Sequence, residues 1–186
     1  MKIPESRFAN IGYSSETFGE NLDKSVTTVV KLLVLGELSV ATAESCTGGL
    51  LSELITSVPG ASQVFELGLC TYSNRIKQSQ LDVPGDTLTE HGAVSREVAL
   101  AMVRGLKQKS GADLCISVTG IAGPGGGTAE TPVGMVYAGF AFGSTEFAAC
   151  LRLWELDDLS RDSIRRHTAL CVFGIAAQIL AEVSNQ

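Results

Sequence analysis

The stretch Leu-Ser-Val-Ala-Thr-Ala-Glu-Ser-Cys-Thr-Gly-Gly-Leu-Leu, residues 38–51, changes periodicity within a single turn. Residues 38–43 are small or β-branched, with Ser39–Thr42 reading as a buried strand, whereas Leu50–Val58 follows a helical pattern. Between them Ser45, Thr47, Gly48 and Gly49 make a tight strand-to-helix turn. Such a turn offers N–H groups at a helix start, which suit an anion such as phosphate. It also holds a hydroxyl in a constrained position, which suits a nucleophile. The plainer reading is that Ser45 or Thr47 caps the helix, as Ser and Thr commonly do.

A strand feeding straight into a helix is the unit of an α/β fold, and the rest of the chain repeats it. Before the turn, Glu20–Leu35 carries Val26, Val29, Val30 and Leu33 at helical spacing and stops at Gly36. After it, a helix ends near Pro59-Gly60, Phe65–Tyr72 reads as a second strand, and a short helix carries Lys77–Leu81. Pro84-Gly85-Asp86 breaks that helix, and Ser95 caps the next, with Val98, Met102 and Leu106 on one face. Leu114–Val118 is a continuous apolar strand that opens into a Gly-rich loop over 119–128. Val133–Phe142 and Thr145–Trp154 read as a hairpin, and Ser160 caps a last helix with Ile164, Leu170, Ile175 and Ile179 inward. The order predicts a three-layer α/β/α sandwich around a mixed, mostly parallel sheet with an antiparallel edge hairpin. Residues 1–20 read as a loose N-terminal extension and 21–186 as one domain.

Apolar residues make up 45% of the chain and charged residues 18%, which suits a packed core. The net charge of −6 argues against a nucleic-acid footprint, which needs clustered Lys and Arg. Five cysteines, odd in number and without a Cys-x-x-Cys pair, indicate neither a zinc site nor a disulfide framework. His91 and His167 lie outside metal-ligand spacing, so no metal and no cofactor are expected. No signal-peptide core or membrane-length apolar run occurs, and a soluble cytoplasmic protein is the expectation. Self-association is left open.

Ligands of open α/β sheets bind beyond the carboxyl ends of the strands. Three such ends here carry polar or glycine-rich sequence: the Ser45 turn, Tyr72-Ser73-Asn74 leading to Lys77, and Thr119-Gly120 leading into the Gly-rich loop. That loop lacks the Gly-Lys-Ser/Thr ending of a Walker motif and the spacing of a dinucleotide fingerprint, so ATP and NAD are poorly supported. Taken by type, Lys77 reads as a solvated surface lysine, and Arg161, Arg165 and Arg166 as one face of a helix. Cys46 competes with Ser45 for the part of nucleophile, since thiolates are intrinsically better ones.

Several of these segments together resemble the CinA carboxy-terminal domain family. They are Ala-Glu-Ser-Cys-Thr-Gly-Gly at 43–49, Tyr-Ser-Asn at 72–74 with Lys77, and His-Gly-Ala-Val-Ser at 91–95. Thr-Gly-Ile-Ala-Gly-Pro at 119–124, Pro-Val-Gly at 132–134 and the spaced Arg161 and Arg165 complete the set. The likeness runs in unchanged order over roughly residues 25–183. It implies the same three-layer fold and a nicotinamide-nucleotide amidase, which hydrolyses nicotinamide mononucleotide to nicotinic acid mononucleotide and ammonia. It further implies that Ser45, Tyr72, Lys77 and Thr119 surround the scissile amide.

In that reading Ser45 is the nucleophile, Lys77 the base, and Tyr72 orients Lys77 or relays its proton. Thr119 holds the carboxamide, and backbone N–H groups of Cys46, Thr47 and Gly48 serve the oxyanion. Gly49, Asn74, Gly120 and Gly123 complete the substrate-binding set, and Arg161 or Arg165 grips the 5′-phosphate. The amino-terminal, molybdopterin-binding-like domain of longer members is not in the sequence, and its activity is expected to be missing. Thr131 stands where many members carry a lysine. The alternative is a catalytically silent nucleotide-binding module of the same fold.

Overall fold

The computed structural model describes residues 18–183, and the side chains of residues 18–182. The extension expected over residues 1–20 lies outside the described residues up to position 17. Helix α1 (Phe18–Leu35) starts two residues before Glu20 and leads to strand β1 (Val40–Glu44), helix α2 (Leu50–Thr56) and strand β2 (Phe65–Cys70). Helices α3 (Asn74–Leu81), α4 (Gly85–His91) and α5 (Arg96–Ser110) precede strand β3 (Leu114–Gly120). The hairpin β4 (Val136–Phe142) and β5 (Thr145–Cys150) and the long helix α6 (Arg161–Val183) complete the described chain.

The sheet order is β2-β1-β3-β4-β5. Strand β1 pairs in parallel with β2 and with β3, whereas β3–β4 and β4–β5 are antiparallel. Only β4 runs against the other four strands. The mixed, mostly parallel sheet with its edge hairpin is therefore as the element order requires.

Side-chain alternation sorts the core into two layers. On one face Val40, Ile116, Val118 and Phe140 pack against apolar residues of α1, α2 and α6. On the other, Ala41, Ala43, Cys115 and Ala141 meet Leu81 of α3, Leu88 of α4, and Val98, Met102 and Leu106 of α5. The small residues of that second face let α5 sit close. A Cβ on Gly139 would lie 2.6 Å from the Ala99 carbonyl oxygen of α5. Helix α5 in turn receives α3 just as closely, since a Cβ on Gly105 would lie 1.9 Å from the Leu81 carbonyl oxygen.

Several expected boundaries differ. The break expected at Pro84-Gly85-Asp86 is present, since α3 ends at Leu81, but a further helix that was not expected, α4, starts there with Pro84 at its N-cap, where its fixed φ and missing N–H suit a helix start. Strand β2 stops at Cys70, and Ser73 caps α3 by accepting from the Ile76 N–H at 3.3 Å. Lys77 therefore sits one turn into a helix, on the same face as buried Leu81. Strand β5 ends at Cys150, with a 3-10 turn over Leu153–Glu155 where strand was expected up to Trp154.

Candidate functional site

The turn after β1 does not work as a Ser/Thr cap. Gly49 occupies the N-cap of α2 with φ of 96°, and no side chain there accepts from the helix. Glu44, the last residue of β1, performs that task from below. One carboxylate oxygen accepts from the Gly49 and Leu51 N–H groups at 3.0 Å each. The other accepts from the Ser52 N–H at 2.9 Å and the Ser52 hydroxyl at 2.8 Å. The side chain is fully buried and anchors three of the N–H groups that a phosphate would need. The N–H groups at the start of α2 are thus already taken by the protein's own carboxylate.

Because successive residues of a strand face opposite sides, Glu44 pointing toward α2 sends Ser45 toward α3. There the Lys77 ammonium donates to Ser45 Oγ at 3.1 Å and to the Thr71 carbonyl at 3.0 Å. Lys77 is 1% exposed, and no carboxylate accepts from its Nζ among the described residues. Burial pushes the lysine below its ordinary 10.5, against a smaller opposing effect of Cys46. A lysine that composition alone would put in solvent is among the largest fully buried side chains of the described residues.

Cys46 lies beside this pair, 5% exposed. Burial, helped by Glu44, pushes its thiol up to about 12, although its own backbone N–H, Lys77 and Arg161 pull the other way. It stays protonated at neutral pH and is a poor nucleophile there.

Ser45, Cys46, Tyr72, Asn74 and Lys77 line a cleft of about 270 Å³ together with Thr119, Gly120, Gly123 and Arg161. Thr119 Oγ1 donates to the Ala93 carbonyl at 2.6 Å. Arg161 donates to the Gly123 carbonyl at 3.0 Å and to the Tyr72 hydroxyl at 2.9 Å, spanning the mouth. Tyr72 is 61% exposed, and its hydroxyl meets Arg161 instead of Lys77. Orienting Lys77 therefore falls to the Thr71 carbonyl.

Thr47, Gly48, Gly49 and Arg165 do not line the cleft. Arg165 donates twice to the Thr47 carbonyl, at 2.8 and 3.2 Å, which ties α6 to the turn. The Gly48 N–H donates to the Ser45 carbonyl, so it is taken. The N–H groups of Cys46 and Thr47 have no acceptor among the described residues. Neither do those of Ala122, Gly123, Gly125 and Gly126 in the Gly-rich loop, where Gly123 and Gly126 take φ of 75° and 86°.

Thr71 and Ala93 were not among the expected site residues, and Glu44 was expected only to hydrogen-bond within the turn, as it does. Only Glu44 carried a signal, an acidic residue between a buried strand and a glycine turn. The other two act through main-chain carbonyls, which any side chain can carry. Among the described residues no group of three or more His, Cys, Asp or Glu could hold a metal ion, and no helix is long and apolar enough to cross a membrane.

The model of the CinA C-terminal domain matches residues 22–180. A CinA-like protein of Akkermansia muciniphila is 48% identical over 148 residues, covering 80% of this chain and 34% of the relative. A competence-damage inducible protein of Caldanaerobacter subterraneus is 47% identical over 152 residues, covering 82% and 36%. The chain thus spans about a third of the length of the curated relatives it matches. Among solved structures, the competence/damage inducible protein CihA of Agrobacterium tumefaciens superposes with a TM-score of 0.79 at 37% identity, over 83% of this chain and 93% of that one. A CinA superfamily protein of Klebsiella pneumoniae reaches 0.81 at 27% identity, over 87% and 98%.

Proposed function

This chain belongs to the CinA C-terminal domain family, and from that premise we propose that it hydrolyses the carboxamide of nicotinamide mononucleotide. The observation that carries the proposal is a buried lysine, with no carboxylate accepting from its Nζ, within hydrogen-bond distance of the Ser45 hydroxyl. Burial lowers the pKa of Lys77, which makes its amine a better proton acceptor near neutral pH, and a serine needs a base to attack an amide.

In the proposed reaction the Ser45 proton passes to Lys77 Nζ as Oγ attacks the carboxamide carbon. The N–H group of Cys46, which borders the cleft and is bonded to no other residue among those described, receives the developing oxyanion. Lys77 then returns the proton to the departing nitrogen, the C–N bond breaks, and ammonia leaves. Water, deprotonated by the same amine, hydrolyses the acyl-serine and releases nicotinic acid mononucleotide. The phosphate is held by Arg161 and the unpaired N–H groups of the Gly-rich loop, and Arg165 braces the turn through Thr47. Cys46 is a neighbour of the reaction and not its nucleophile.

Ammonia release from purified protein and nicotinamide mononucleotide tests the reading directly. Ser45→Ala is expected to abolish it. Turnover that survives this substitution rejects the assigned nucleophile. Nucleotide binding by the unaltered chain without ammonia supports the silent module in its place.

A further inference from the structure

Thr119 sits near the end of β3 with 1% exposure and lines the same cleft as Lys77. A threonine hydroxyl has one proton and two lone pairs. Here the proton is committed, at 2.6 Å, to the Ala93 carbonyl. That carbonyl is not free to turn away. Its segment is pinned by Ser95, whose hydroxyl donates to the Gly92 carbonyl at 3.0 Å and accepts from the Val98 N–H at 3.2 Å. Whatever reaches Thr119 Oγ1 from the cleft therefore meets lone pairs only.

We propose that Thr119 is a specificity-determining residue that admits primary carboxamides and rejects the corresponding carboxylates, because Ala93 locks its hydroxyl as an acceptor. The inference rests on the amidase reading and adds to it a reason for product release. The –NH₂ of a carboxamide donates to Thr119 Oγ1. Once hydrolysis replaces that nitrogen by oxygen, two acceptors face each other with no proton between them. The acid leaves because the group that held the amide now repels it. Lys77, which also lines the cleft, favours the acid whenever it carries charge, so substitution of Thr119 isolates the share of the ratio that Thr119 sets.

The experiment is calorimetry with nicotinamide mononucleotide and nicotinic acid mononucleotide on the full chain carrying Ser45→Ala, which prevents turnover. We expect the amide to bind at least about tenfold more tightly than the acid, the scale set by an unsatisfied buried polar contact. Adding Thr119→Val should shrink that ratio at least about fivefold, while Thr119→Ser should hold it within about twofold. A ratio of one in the Ser45→Ala chain overturns the proposal even if Thr119→Val does not fold. So does a ratio that Thr119→Val leaves unchanged. In either case, ammonia release by the unaltered protein would show that the amidase reading survives alone. Absence of binding by both nucleotides removes the reading and the inference together.

Discussion

Two glycine turns at adjacent strand ends look alike as sequence and differ in what fills them. The turn over residues 44–49 has its helix-facing N–H groups bonded to Glu44, a buried anion built into the chain. The loop over residues 120–128 leaves the N–H groups of Ala122, Gly123, Gly125 and Gly126 without an acceptor among the described residues, and several of these residues border the cleft. Glycine at a strand end therefore marks a backbone that can approach an anion. It does not say whether the anion is internal or brought by a ligand.

The sharpest way to break this contrast is to remove the internal anion. Glu44→Ala should destabilise the fold by about 3–5 kcal/mol, since three buried N–H donors and a hydroxyl lose their partner at once. Urea denaturation measures it. A loss under about 1 kcal/mol would mean that water caps α2 as well as the carboxylate does.

Next in size is the comparison of two arginines one helical turn apart. Arg161→Met should raise KM for the nucleotide about tenfold or more, by removing a guanidinium from the cleft. Arg165→Met should leave KM within about threefold and instead cost about 1–2 kcal/mol of stability through the Thr47 carbonyl. The reverse assignment would place the phosphate on the wrong side of the turn.

The buried amine has its own pH signature. Its folded pKa lies below the ordinary 10.5, so between those two values the unfolded chain binds more protons than the folded one. Folding stability should therefore rise with pH through that window, and activity should rise through the lower, folded value. Lys77→Met should remove the stability rise and abolish turnover. Equal pH slopes for the parent and Lys77→Met would exclude a neutral lysine.

The smallest expected effect concerns a hydroxyl. The Oγ1 atoms of Thr71 and Thr47 are buried without partners among the described residues, although both residues use their carbonyls at or beside the site. Thr71→Val keeps the carbonyl that holds Lys77 and removes the orphan. It should be neutral or stabilising by about 1 kcal/mol in thermal unfolding.

Layering, the mixed and mostly parallel sheet and the edge hairpin were legible from element order and apolar runs, because both faces of a largely parallel sheet must be covered. The convergence of Ser45, Lys77, Thr119 and Arg161 was expected only through family likeness; composition alone put Lys77 in solvent. What stayed hidden depended on main-chain partners. Nothing in Ala93 or Thr71 announces a carbonyl aimed at a hydroxyl or an amine. The split between Glu44 and Ser45 follows from strand parity, but only once β1 is known to run through Glu44 and not to stop at Thr42.

The contact of Gly105 with Leu81 sets a boundary for anyone engineering this protein. Replacing helical glycines by alanine is a standard route to sturdier proteins, worth about 1 kcal/mol in an open helix. At position 105 the added methyl would occupy the space of a neighbouring backbone and lever α3 outward. The lysine rides on that helix, so a change made far from the cleft for robustness would disarm the chemistry inside it.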